Sequence, residues 1–152
     1  MIEGSAKGRD IHKGMELILH GGIDYQSLAN EYTAPLKNFE QWLSDCKISP
    51  LYTEYRFYHP KLGYAGTIDL IAIVNGVLSI VDFKTGIESF AVGLQTAAYR
   101  EGYCSQEKYL GKIDRYVLYL PKDGSSYKFK RLNDESDLNK FRACMMLKGT
   151  FK

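Results

Sequence analysis

The chain is poor in the residues that mark a special environment. Of its 152 residues only three are cysteine, Cys46, Cys104 and Cys144. They are odd in number and widely spaced, with no Cys-x-x-Cys. That argues against a disulfide framework and a sulfur-ligated metal site, and implies a reducing cytoplasm. No apolar run approaches the roughly 20 residues a membrane span needs, and no signal-peptide core opens the chain. No membrane partner is expected. Neither sign of charge dominates, since 20 Lys and Arg against 18 Asp and Glu leave a net +2. Such a balance names no nucleic-acid partner by itself. It is unevenly spread, however. Residues 1–99 carry 8 Lys and Arg against 11 Asp and Glu, and residues 100–152 carry 12 against 7. A basic C-terminal third can lie along a phosphate backbone or simply be a solvated surface. Repeats and low-complexity segments are absent too. What remains is a length suited to one domain over residues 1–152, with enough apolar residues for a core.

Periodicity supplies the elements. Ile11, Met15, Ile18 and Leu19 predict a helix over 8–20, stopped by Gly21-Gly22. A second helix is expected after Thr33-Ala34-Pro35, with Leu36, Phe39, Leu43 and Cys46 as its stripe. Strands follow at 51–59, 64–74 and 77–84, then a helix over 89–104 opening at Ser89. A strand at 113–120, a Pro-Lys-Asp-Gly turn and a short strand at 127–130 come next. Asn133 is the expected cap of a last helix reaching about Leu147. Lys128 and Lys130 suit an edge strand, and His20 and His59 read as surface or turn residues. The order ααβββαββα makes an α/β protein with a mixed central sheet flanked by helices.

Turn chemistry fixes the strand registers. Asn75-Gly76 signals a two-residue type I′ hairpin, which sets Val74 opposite Val77 and Asp69 opposite Asp82. Their Cβ atoms then stand roughly 4.5–5.5 Å apart. Both faces of this hairpin are apolar along most of its length, so it belongs in the middle of the sheet. Two carboxylates facing each other there repel, and burial raises the cost. A fold keeps that arrangement when something positive sits between them. In "VDFKTG", residues 81–86, Lys84 shares a face with Asp82 while Phe83 points opposite. Lys84 is therefore one candidate, and a divalent cation the better one. A four-residue loop over 60–63 places Glu54 opposite Asp69, although one residue of slip would turn it away. Gly66 leaves room for a backbone or ligand to approach. The plain alternative is a salt bridge at a sheet end.

The stretch "GTIDLIAIVNGVLSIVDFKTG" followed by "QTAAY", with "GRDIH" near the start, resembles the PD-(D/E)XK nuclease superfamily in its RecB-like branch. The likeness covers residues 8–104. It implies a restriction-endonuclease-like core and a divalent-metal-dependent nuclease acting on DNA phosphodiester bonds. On that resemblance His12, Asp69, Asp82 and the Phe83 carbonyl would hold Mg²⁺ or Mn²⁺. Lys84 would serve the attacking water, and Gln95, Tyr99 and Thr85 would contact substrate phosphate. Glu54, a candidate from the strand register and not from the resemblance, would be an added acid. Read without it, His12 borders a buried stripe as core histidines do, and Gln95 and Tyr99 share a helix face as packing residues do. Some RecB-like nucleases carry four cysteines holding an iron–sulfur cluster. Three scattered cysteines do not make that set, so no cluster is expected. The implied role is an exonuclease in DNA recombination, repair or phage DNA processing, a minimal form such as phages and mobile elements carry, acting as a homo-oligomer or with a recombination partner protein. A structure-specific endonuclease or junction resolvase is the enzymatic alternative. A non-catalytic DNA-binding module on a nuclease fold is the other, and its mark would be loss of Asp69, Asp82 or Lys84. None is lost.

Overall fold

The registers and turns build a five-stranded sheet with helices on both faces. The computed structural model describes residues 6–150. In chain order these form α1 (Ala6–Leu19), a 3₁₀ turn (Tyr25–Ser27), α2 (Asn30–Asp45), β1 (Ser49–His59), β2 (Tyr64–Val74) and β3 (Val77–Lys84). Then come α3 (Ala91–Glu107), β4 (Asp114–Tyr119), β5 (Lys128–Arg131) and α4 (Asp137–Thr150). The strands lie side by side in sequence order, antiparallel except for the parallel pair β3–β4. That parallel step needs a crossover, and α3 supplies it. Lys128 and Lys130 do lie on the edge strand. Among the described residues no helix is long and apolar enough to cross a membrane.

Two helix starts differ from expectation. α2 begins at Asn30, so Pro35 sits inside it rather than in its first turn. Pro35, Leu36, Phe39 and Trp42 are all buried, and that burial offsets the one backbone donor the proline lacks. Cys46 falls at the helix end, and Trp42 takes the core place. α4 begins at Asp137, not after Asn133. Asp134 Oδ1 accepts from the Ser136 N–H and hydroxyl, at 2.9 and 2.6 Å, making a turn of its own before the helix. His59 is buried rather than on the surface. Its Nδ1 accepts from the Leu62 N–H at 3.2 Å and so closes the β1–β2 turn.

The α1–α2 face of the sheet packs Ile11, Met15, Phe39 and Trp42 against Leu70, Ala72, Val81 and Phe83. The α3 face packs Phe57, Ile68, Ile71, Ile80 and Tyr103. Phe57 lies tightly against α3 at Gly102, where an added Cβ would stand 2.1 Å from the ring. The ring is also held at Gly66, where a Cβ would meet it at 2.8 Å. Gly102→Ala is therefore expected to destabilise the fold by about 1–3 kcal/mol, the range for overpacking. A urea melt followed by fluorescence of the sole tryptophan, the buried Trp42, measures it. An unchanged midpoint would mean that Phe57 has somewhere to go.

Candidate active site

Asn75 and Gly76 have φ of 51° and 78°, as a type I′ turn requires, and the β2–β3 ladder runs from Val74↔Val77 to Leu70↔Val81. There it stops. β2 goes on along β1 alone, from Ile68↔Tyr55 to Tyr64↔His59. β3 goes on along β4 alone, from Asp82↔Val117 to Lys84↔Tyr119. The sheet forks, and Asp69 and Asp82 are the first residues past the branch. The hairpin register is the expected one up to Leu70↔Val81, and the two acids stand one position beyond its last pair.

The β1–β2 register is also the expected one, and it sets Glu54 across from Asp69, between the pairs Tyr55↔Ile68 and Thr53↔Leu70. Glu54 itself leaves the ladder with a φ of 49°. A side chain in that left-handed region costs on the order of 1 kcal/mol. The excursion reverses the alternation of β1. Thr53 meets His20, just past the end of α1, Oγ1 to Nε2 at 2.8 Å, while Tyr55 joins the α3-side cluster. β2 changes sides on the same rung, with Ile68 and Ile71 toward α3 and Leu70 toward α1 and α2.

Asp69 Oδ2 accepts the Phe83 N–H at 2.9 Å. Burial pushes the Asp69 carboxyl well above the usual range, the Asp82 charge adds to this, and the Phe83 hydrogen bond opposes both. Asp82 is 2% exposed. Lys84 Nζ stands 3.1 Å from Asp82 Oδ2, an ion pair by distance, yet outside hydrogen-bond alignment, so this buried oxygen has no hydrogen-bond partner. The oxygen is thus held by charge and not by a hydrogen bond, and it is the kind of hard donor that Mg²⁺ or Mn²⁺ takes up. Among the described residues no three His, Cys, Asp or Glu side chains converge on one point. A pair of carboxylates is nonetheless what Mg²⁺ commonly uses, with waters and substrate phosphates completing its shell.

The other expected residues surround this pair. His12 reaches from α1, its ring centroid 6.4 Å from that of Phe83. Burial lowers its pKa, the Asp82 charge opposes that and the Lys84 charge adds to it, so the neutral imidazole is favoured. His12 does not close with Asp69 and Asp82 into a three-ligand group. From α3, Gln95 Nε2 donates to the Tyr99 hydroxyl at 2.7 Å. That hydroxyl is pushed up by burial, then by Asp82 and Asp69, and stays protonated with its own proton to give. Thr85 is half-buried just beyond β3. The Glu54 carboxyl is raised by burial and then by Glu16. Glu16 went unnoticed in the sequence, although it lies four residues after His12 and so on the same helix face.

Sequence reasoning also missed Arg115. It is 1% exposed and lies in β4, every residue of which is buried. Its Nη1 donates to the Gly93 carbonyl at 2.8 Å, to Thr96 Oγ1 at 3.2 Å and to Asp137 Oδ2 at 3.0 Å, and its Nη2 to the Asp134 carbonyl at 3.0 Å. The guanidinium thereby ties the first turns of α3 and α4 to the sheet and sets the start of the helix that presents Gln95 and Tyr99. An arginine inside an apolar strand was the available signal, because a buried guanidinium requires partners.

No family model and no curated protein sequence matches the chain. Among solved structures, the crystal structure of the "Putative exonuclease" from Eubacterium rectale is similar in fold, with a TM-score of 0.63 over 99% of this chain and 67% of that one. Sequence identity is 10%. The helix-flanked mixed sheet is therefore a fold shared with a protein of that name.

Proposed function

We propose that the chain is a divalent-metal-dependent DNA nuclease of the PD-(D/E)XK type, RecB-like branch, working as an exonuclease. The observation that carries this is the fork itself. It holds Asp69, through the Phe83 N–H, beside the buried Asp82, whose Oδ2 has the Lys84 ammonium 3.1 Å away and no hydrogen bond. The name of the structural neighbour points the same way. Mg²⁺ or Mn²⁺ bound there would supply Lewis acidity toward a phosphate oxygen and toward water. Asp69, Asp82 and the Phe83 carbonyl are the residues that would hold it, with His12 beside them. Lys84 projects on the same face as Asp82, where its compact ammonium orients a water and stabilises charge developing on the phosphoryl oxygens. Gln95 and Tyr99 offer uncharged N–H and O–H donors to the flanking phosphate, and Thr85 a hydroxyl. Digestion of end-labelled linear DNA beside covalently closed circular DNA, with and without Mg²⁺ or Mn²⁺, tests this. Metal-dependent loss of label from ends with intact circles is expected. Cut circles would make it an endonuclease, and no cleavage with either metal would overturn the enzyme reading.

His12 adjusts the metal rather than creating the site. His12→Ala is expected to weaken metal binding roughly 10–100-fold, and Mn²⁺ to support wild-type cleavage better than Mg²⁺, since imidazole suits softer ions. A calorimetric metal titration checks this. An unchanged titration would return His12 to the core.

A further inference from the structure

Beside the fork lies a cavity of about 650 Å³ between the start of β2, α3 and α4. We propose that it takes one unpaired nucleobase, next to the phosphate presented to Asp69, Asp82 and Lys84, so that the preferred substrate is a single strand or a duplex end with an unpaired nucleotide. This rests on the nuclease reading and names the form of nucleic acid that the site accepts.

Position comes first. Two of the cavity's lining residues are the hydrogen-bonded pair Gln95 and Tyr99, and three more, Tyr64, Ala65 and Gly66, open the strand β2 that carries Asp69. The cavity and the fork thus share a wall. Chemistry comes second. The remaining lining is mainly apolar and aromatic, led by Tyr64 and Phe141, whose rings meet edge-to-face at 5.0 Å. Tyr64 is fixed by donating its O–H to the Ala98 carbonyl at 2.6 Å and by stacking on His59 with centroids 5.3 Å apart. Phosphate seeks donors and cations, and among the described residues this lining has a single cation, Lys148. A flat π-surface suits aromatic walls, and a volume within about 300–1,000 Å³ suits a ligand of nucleoside size. Room comes third. Gly66 lines the cavity, and a Cβ there would stand 3.0 Å from the Tyr99 ring. Lys148 is exposed and available to a neighbouring phosphate. A base inside a duplex is stacked on both faces and reaches such a cavity only after unpairing, which selects strands whose end nucleotide is already loose.

Two readouts separate the two readings. In the absence of divalent metal, so that nothing is cut, single-stranded oligonucleotides carrying 2-aminopurine at successive positions from one end are titrated with the protein. Saturable quenching at one position is expected from stacking in the cavity. Phe141→Ala is expected to weaken binding roughly 5- to 150-fold, the range for loss of one base–aromatic contact. Phe141→Leu, which keeps apolar volume, guards against a folding defect and should lose quenching with Trp42 fluorescence unchanged, while Phe141→Tyr should restore it. With metal, a duplex bearing an unpaired end nucleotide should be cut at least about 10-fold faster than its blunt counterpart, and an abasic residue at the quenched position should remove that advantage. Cleavage without quenching, or Phe141 variants that bind single strands as wild type does, overturns the cavity proposal and leaves the nuclease reading standing. Quenching without cleavage under either metal keeps the cavity and sinks the nuclease reading.

Discussion

Asp69→Asn and Asp82→Ala are each expected to reduce cleavage to background while the chain still folds, and Asp69→Asn to melt at a higher temperature than the wild type in metal-free buffer. The first effect follows from the proposed place of the pair at the centre of a metal site. With one carboxylate gone, a hard cation keeps a single charged oxygen donor from the fork, too few to hold it where the phosphate arrives. The second follows from what the pair costs. Asp69 is buried against Asp82, and its carboxyl binds a proton more tightly in the folded chain than in the unfolded one. Metal-free wild type therefore loses stability as pH rises from the ordinary carboxyl range near 3.8 through the raised folded value. An asparagine keeps an oxygen for the Phe83 N–H and turns an amide N–H toward Asp82, so it carries no such slope. The gap between variant and wild-type melting temperatures should thus open with pH across that window and close when metal is added. A gap that is flat with pH, or a variant that cleaves at a rate comparable to wild type, would remove the pair from the active site.

Lys84→Met is expected to lower the single-turnover rate roughly 10²–10³-fold, the size of one electrostatic donor that acts in the transition state. Methionine keeps most of the stem's volume, and the Lys84 side chain is 38% exposed, so the fold has little to lose. Metal and DNA binding should persist, because the ammonium's contribution appears chiefly as charge develops. One complication is physical. Removing the cation beside Asp82 leaves that buried carboxylate with less compensation, so metal binding becomes tighter or unchanged, never weaker, if Lys84 only balances charge. Lys84→Arg should not restore the rate, since a planar fork cannot take the place of a compact ammonium over one water. Single-turnover cleavage beside a DNA-binding isotherm decides it. Normal cleavage, or equal losses in binding and in rate, would make Lys84 a structural partner of Asp82.

Much of the candidate site's layout was legible because turns, unlike helix ends, carry register. Asn75-Gly76 admits one pairing, and that pairing alone brought Asp69 to Asp82. The His59–Tyr64 closure likewise set Glu54 across from Asp69. What the pattern of residues does not carry is backbone departure from the ideal strand. Nothing in "YTEYR" announces that Glu54 turns left-handed, level with the place where β2 and β3 part. The starts of α2 and α4 were misplaced for a related reason. Local signals, Pro35 and Asn133, favoured one place, and burial of Pro35 and the pull of Arg115 on Asp137 favoured another. Arg115 shows the limit most plainly, for its partners come from two helices that sequence spacing cannot bring together.

The parallel step between β3 and β4 has a consequence for the order in which the molecule forms. β1, β2 and β3 are joined by short turns and pair with their immediate neighbours, contacts that close early and cost little chain entropy. Ser79 finds Asp114 only after all of α3 has been laid across the sheet. The two acids are thus delivered by the local meander, and Gln95 and Tyr99 by the segment that must wait for the long-range closure. In a chain emerging from the ribosome, the paired carboxylates exist before the wall that faces them. Hydrogen exchange in refolding chains should accordingly protect Leu70 and Val81 before Val117 and Leu118, and any activity that depends on α3 would switch on with the last of these steps.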